Sequence, residues 1–595
     1  MKRSLGPLVL VALVALFGLG SSTPAVDVAA GWSANVDPWV LDTVEREGRV
    51  EALVVLERQA DLSDAARLAG KKARGRWVFE RLTEVARESQ RGLLAALAAA
   101  EVEHRPFWVA NMVWVDANLE ALRMLAERAD VARIAANPRV RADLAFRGVS
   151  GGAGPDAGVE PNIDQTGAPA VFWANGFTGQ GIVIAGADTG VEWDHAALRD
   201  SYRGWDGQAA DHNYNWHDAI HSGGGVCGPN SQVPCDDDDH GTLTMGIAVG
   251  DDGVGNQIGM APGAEWIACR NMDQGVGTPA TYSECYEFFI APTDLAGQNP
   301  DPSRAPHVIN NSWVCPPDEG CTDPNILLTV VENARAAGIA VVASAGNDGL
   351  ACSTIQYPSA IYDAAWTVGS INIKGELSAF SSRGPVTVDG SNRLKPDVVA
   401  PGEDVRTAKR GGGYQEFSGT SISGPHVAGM AALMMSAESC LVGDVGGMEA
   451  TLKKTARHWT TSETCGGIPA GESPNNSYGF GAIRSVLPTE LACSPDLAVA
   501  GSCPGLVTLS LSRLTPGAQV AVVGALAAGE TAVPGGNCAG TELGIDEPLF
   551  SALTTADGTG QAVLEGDVTG GSCGALVQVL DLADCTTSAV AALPR

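Results

Sequence analysis

Cysteine is missing from the first 226 residues of this 595-residue chain; all 14 lie from Cys227 to Cys585. No cysteine therefore stands where a lipid-anchored amino terminus would need one. Long apolar runs are scarce too. Residues 8–17 form one, but nothing later reaches the roughly 18–20 apolar residues that cross a bilayer, so no membrane span is expected. Positive charge is the third shortage: 38 Lys and Arg face 69 Asp and Glu, a net charge of −31. The imbalance is one-sided. Residues 26–150 carry 18 basic and 19 acidic side chains, whereas residues 151–595 carry 18 and 50. So acidic a surface repels nucleic acid and anionic membranes and argues against both as partners.

Lys2 and Arg3, the short apolar run and the small residues up to Ala25 read as a secretory signal peptide, residues 1–25, so the chain is expected to be secreted. An even cysteine count in an exported chain argues for disulfides. Close spacing suggests Cys227–Cys235, Cys315–Cys321, Cys440–Cys465 and Cys573–Cys585. Connectivity stays open at this level, and no cysteine set matches a zinc pattern.

The length calls for three or four units. Residues 26–148 read as a small α+β unit: strand at 49–56, helix at 62–100, strand at 107–116, helix at 119–130, strand at 131–140. Across 155–488, short apolar strands alternate with helical segments. That pattern predicts an α/β fold, a doubly wound and mostly parallel sheet covered on both faces. Residues 491–595 hold alternating strands, turn residues and five cysteines, which predicts a small disulfide-rich all-β domain.

Four polar residues stand where chemistry could use them. Residues 181–188 form an apolar run ending in Asp188, a buried strand that delivers a carboxylate at its carboxyl end. His240 opens a small apolar stretch reaching Val249, a buried helix with the imidazole in its first turn. Ser421 follows Gly419-Thr420 and opens another buried helix, with a backbone N–H and the positive helix end beside its hydroxyl. Asn347 ends the apolar strand 339–347 and offers a neutral amide donor. A serine nucleophile needs an imidazole to take its proton and a buried carboxylate to hold that imidazole. Singly, each residue has a plainer reading: Asp188 or Ser421 as a cap, His240 as a surface histidine, Asn347 as a turn residue. Their order and flanks together favour an Asp–His–Ser set. The esterase signature G-x-S-x-G, with the order Ser, Asp, His, does not describe Ser421.

These segments resemble the subtilisin-like serine peptidases (subtilases), most of all the bacillopeptidase F-like subgroup. The match to G-T-S-x-x-x-P-H at residues 419–426 is the most specific, and the likeness covers roughly 160–485. The resemblance implies Asp188, His240 and Ser421 as the triad and Asn347 as the side-chain oxyanion donor. It implies that Ser312, Trp313 and Val314, with Ser344, Ala345 and Gly346, are edges holding protein or peptide substrates as an added strand. Catalysis would need no cofactor. Structural calcium on oxygen ligands is a further expectation, although no segment has a spacing that defines its site. Residues 26–148 would be an inhibitory pro-domain, the protein's own inhibitor, cut within 148–155 or just before. A monomer and a cis Tyr357–Pro358 bond are also implied. Two departures stand out: Leu243 where the subgroup more often has histidine, and Val314 where a glycine usually follows. The valine would narrow the pocket for the P1 side chain.

Between Asp188 and His240 lies an insertion, 206–239. His212, His217 and His221 invite a metal reading, against a plain surface loop; Asp236 to Asp239 read as a solvated or calcium-binding edge. The competing function is an exported binding or adhesion protein on an inactive peptidase scaffold, with the carboxyl-terminal β unit as its working part.

Overall fold

Residues 182–187 alternate between two apolar cores. Val183, Ala185 and Ala187 join one; Ile182 and Ile184 join the other. Such a strand is buried on both faces, as a parallel sheet with helices on each side requires. The computed structural model describes residues 31–141 (69 excepted), 146–147, 158–487 and, with scattered gaps, 491–594. The signal segment and the expected cleavage link at 148–155 lie outside the described residues.

The strand in question is β1 (Val183–Asp188). It belongs to a seven-stranded sheet with β2 (Trp216–Asp218), β3 (Glu265–Arg270), β4 (Val308–Asn311), β5 (Ala340–Ser344), β6 (Trp366–Ile371) and β7 (Val398–Pro401). The order is β7-β6-β5-β4-β1-β3-β2, and every pairing is parallel. Helices α1 (His240–Val249) and α4 (Thr420–Ala437) fill one core; α2 (Pro279–Ile290) and α3 (Leu328–Ala336) fill the other. Both α1 and α4 are buried along nearly their whole length, which explains their uniformly small and apolar sequences.

Ahead of this unit, the strands Glu103–Phe107, Met112–Ala117, Val50–Leu56 and Val131–Ala136 form one antiparallel sheet in that spatial order. The single strand expected at 107–116 is thus two strands of a hairpin, with Asn111 turning at φ +39°. The long helix expected at 62–100 breaks at Gln90, whose buried side chain donates to Phe107 O and Asn111 Oδ1. The unit docks on α2 and α3. Glu287 accepts the N–H groups of Trp108 and Val109, Asn333 donates to Val109 O, and Arg105 pairs with Glu284. After residue 495, a three-stranded and a four-stranded antiparallel sheet share an apolar cluster, with a two-stranded ribbon beside them.

Cys227–Cys235 and Cys315–Cys321 pair as spacing suggested. Two suggestions fail: Cys465 pairs with Cys352, not Cys440, and Cys573 and Cys585 pair with Cys503 and Cys538. The sheet brings together loops 113 residues apart, which nearness in sequence does not reveal. Cys269–Cys285 ties β3 to α2. The cis bond near Pro358 follows that proline, at Pro358–Ser359, rather than preceding it.

The insertion 206–239 is held by Arg270 at the end of β3. Its fully buried guanidinium donates to Asp218 Oδ1 (3.0 Å), Gly228 O (2.6 Å), Gly224 O and Asp237. Replacing one partner of such a group strands buried carboxylates without a cation. Arg270→Met is expected to cost about 3–5 kcal/mol. Denaturant unfolding of the purified variant, followed by tryptophan fluorescence, measures that loss.

Candidate active site

Register sets the site. Ala187 of β1 lies beside Asn311 of β4, and Asn311 lies beside Ala343 of β5. Asp188, Ser312 and Ser344 are therefore neighbours on the carboxyl edge of the sheet, where parallel α/β folds gather ligands. From β1, Asp188 Oδ1 meets His240 Nδ1 at 2.7 Å, and the two side chains are 2 % and 1 % exposed. The approach needs glycine: a Cβ on Gly241 would run into the carbonyl oxygen of Gly190.

Ser421 arrives from the other side, in the first turn of α4. Gly419 precedes the helix at φ +151°, a conformation open mainly to glycine. Ser421 Oγ donates to Ser312 O at 3.4 Å, and Ser312 Oγ donates back to Ser421 O at 3.2 Å. Thr420 binds the end of β5: its N–H and hydroxyl donate to Asn347 Oδ1 at 2.8 and 3.0 Å, and its Oγ1 accepts Gly346 N–H at 3.2 Å. Those bonds orient the carboxamide with Nδ2 as its other end. Asp188 with His240 thus forms one hydrogen-bonded group, and Ser421 with Ser312 and Thr420 with Asn347 form another at the adjoining strand ends. His240 Nε2 is buried with no hydrogen-bond partner among the described residues. Burial works against a charged imidazole there, yet Asp188, Asp238 and Asp236 outweigh it and hold the His240 pKa above the ordinary histidine value.

A family model described as the subtilase family matches residues 179–481, just over half of the chain. The chain belongs to the subtilase family. Bacillopeptidase F of Bacillus subtilis (strain 168) is 34% identical over 474 residues, 74% of this chain and 31% of that protein. Subtilisin E of the same organism is 32% identical over 279 residues, 46% of this chain and 60% of that protein. The subtilisin of Bacillus pumilus matches at 32% over the same length, 83% of its own chain. The chain thus spans about a third of bacillopeptidase F and three fifths of subtilisin E.

Within this subtilase, the residues expected as substrate edges keep their side chains inside. Ser312, Trp313, Val314, Ser344 and Ala345 are all buried. Trp313 stacks on Tyr282 and donates to Ala187 O, so it props the floor of the site. Leu243, the other departure, packs with Ile247, Val405, Phe417 and Ile422.

Two readings of the insertion need correction. Asp236 and Asp237 are buried, not a solvated edge. Their oxygens are taken by Thr189, Thr242, Gln274 and Arg270, so these two carboxylates do not fit calcium ligands. Among the described residues no cluster of three or more His, Cys, Asp or Glu is placed to hold a metal. The three histidines do not converge: His212 binds Tyr202 OH, while His217 and His221 share the carboxylate of Glu284. The sequence reading gives Thr189, Thr242 and Thr420 no role of their own, although each lies within two residues of one that has a role.

Titration of the His240 ring by NMR is expected to give a pKa above that of an ordinary histidine. Asp188→Asn moves it down, because burial then faces less opposing charge.

Proposed function

We propose that the protein is a secreted serine endopeptidase, made as a zymogen, that cleaves proteins or peptides through an acyl-enzyme on Ser421. The buried Asp188–His240 bond beside the α4 start carries this reading. Asp188 fixes the tautomer that leaves Nε2 unprotonated, and Ser421 Oγ must swing from Ser312 O to that nitrogen for attack. Apo catalytic bonds of this kind often form only with substrate present. His240 then takes the hydroxyl proton and later gives it to the leaving amine. The Ser421 N–H and Asn347 Nδ2 would hold the oxyanion. Removing one such donor costs about 10²–10³ in kcat.

The zymogen reading has its own support. Residues 140–141 pair antiparallel with 276–277, and residues 146–147 with 417–418, just before Ser421. Chain held against the peptidase unit at both places supports a cut just ahead of the link at 148–155. Residues 26–148 act as the inhibitor in this scheme, docked on α2 and α3 until cut.

Intact-mass measurement and amino-terminal sequencing of secreted protein test both parts. The wild type should begin near residues 142–146 and take up a serine-directed phosphonate on Ser421. Ser421→Ala should stay uncut and unlabelled, and Asn347→Ala should lose roughly 10²–10³ in kcat with little change in KM. An unlabelled, uncut wild type would instead support the binding-protein reading. Peptide profiling checks the pocket: Val314→Gly is expected to admit bulkier P1 side chains than the wild type.

A further inference from the structure

Asp236 lies four residues before His240, in an insertion the catalytic scheme does not use, and it is 3 % exposed. Both carboxylate oxygens are engaged. Oδ1 accepts Thr189 Oγ1 at 2.9 Å and Asp238 N–H at 3.0 Å. Oδ2 accepts Thr242 N–H at 2.9 Å and Thr242 Oγ1 at 2.6 Å. Thr189 follows Asp188 directly, and its Oγ1 accepts Gly241 N–H at 2.9 Å; Thr242 lies two residues beyond His240. The carboxylate thus spans the gap between the end of β1 and the start of α1.

We propose that Asp236 is a positioning residue for the Asp188–His240 pair, a buried carboxylate that makes strand end and helix start move as one. The proposal rests on the peptidase reading and deepens it. Four donors on two oxygens need an acceptor-only group. An asparagine would turn an NH₂ toward donors on one side, and glutamate would be a methylene too long for so closed a site. The neighbourhood is equally closed. A Cβ on Gly190 would strike the carbonyl of Cys235, the Cys227–Cys235 disulfide ends one residue before Asp236, and Arg410 donates to Asp236 O at 3.3 Å. A displacement of about 1 Å in such a constellation costs about 10²-fold in rate.

The charged groups around Asp236 are Asp188 on β1, His240 on α1, Asp237, Asp238 and Asp239 on its own segment, and Arg410 on the facing loop. Removing its charge takes one negative neighbour from His240, so the acid limb of kcat/KM should move to lower pH. Asp236→Asn is expected to lose about 10²-fold in kcat per titrated site, with KM within about threefold, and to show that shift. Thr189→Val, which keeps shape and removes the hydroxyl, should lower kcat in the same sense. Thr189→Ser should restore it. If Asp236→Asn lowers only thermal stability, with kcat and the acid limb unmoved, the proposal is overturned. Where that variant does not fold, the Thr189 pair decides: equal kcat in Val and Ser overturns it. Failure of the peptidase reading looks different, because wild type itself would then take up no phosphonate.

Discussion

Parallel register along one sheet edge is the constraint from which the site follows. With every strand running the same way, the carboxyl ends of β1, β4 and β5 open on one side. The β1–β4–β5 register then sets Asp188, Ser312 and Ser344 side by side without any specific contact between their side chains. The two buried helices need only bring one residue each to that line. Their burial is also why their flanks are so restricted: Gly241 meets Gly190, and Gly419 takes a conformation other residues avoid.

Electrostatics at the site are unusual for the number of acids brought near one imidazole. Asp188, Asp238 and Asp236 all favour the charged form of His240. Burial pushes Asp236 itself up to about 6 against four hydrogen bonds that hold it down. A carboxyl whose folded pKa exceeds its unfolded value loses stability as pH rises from about 3.8 through about 6. At neutral pH the fold therefore carries Asp236 as a charged group at a net cost. Costs of that kind gather where position matters more than stability.

How much of this was legible in the sequence depends on periodicity. β1, α1 and α4 could be read because two-residue alternation and long runs of small apolar residues have few other uses. The hairpin at 103–117 reads as one strand because its turn, Trp108 to Asn111, carries no glycine or proline, and its backbone is satisfied from outside by Glu287 and Asn333. The run Asp236 to Asp239 reads as solvated surface because runs of acids usually are. Arg270, far along the chain, pairs with Asp237, while the hydroxyls of Thr189 and Thr242 satisfy Asp236, and nothing in the run itself announces these partners. Cys352–Cys465 was hidden for a related reason, since the sheet rather than the sequence brings those loops together.

The uneven charge of the two halves has a structural use at their interface. Glu284, Glu287, Glu319 and Asp323 of the acidic unit all receive donors from the near-neutral one: Arg105, the Trp108 and Val109 amides, the Arg141 amide and Arg133. Two groups buried there respond to pH in opposite senses. Burial pushes Glu287 up to about 8, so docking takes up a proton and weakens as pH rises from about 4.5 to 8. Burial, with Arg203 and Lys72 nearby, brings Lys71 down to about 7 where its amine donates to Ala305 O. Docking there releases a proton and strengthens as pH rises from about 7 to 10.5. Between these two groups, attachment of the leading unit is weakest from about pH 7 to 8.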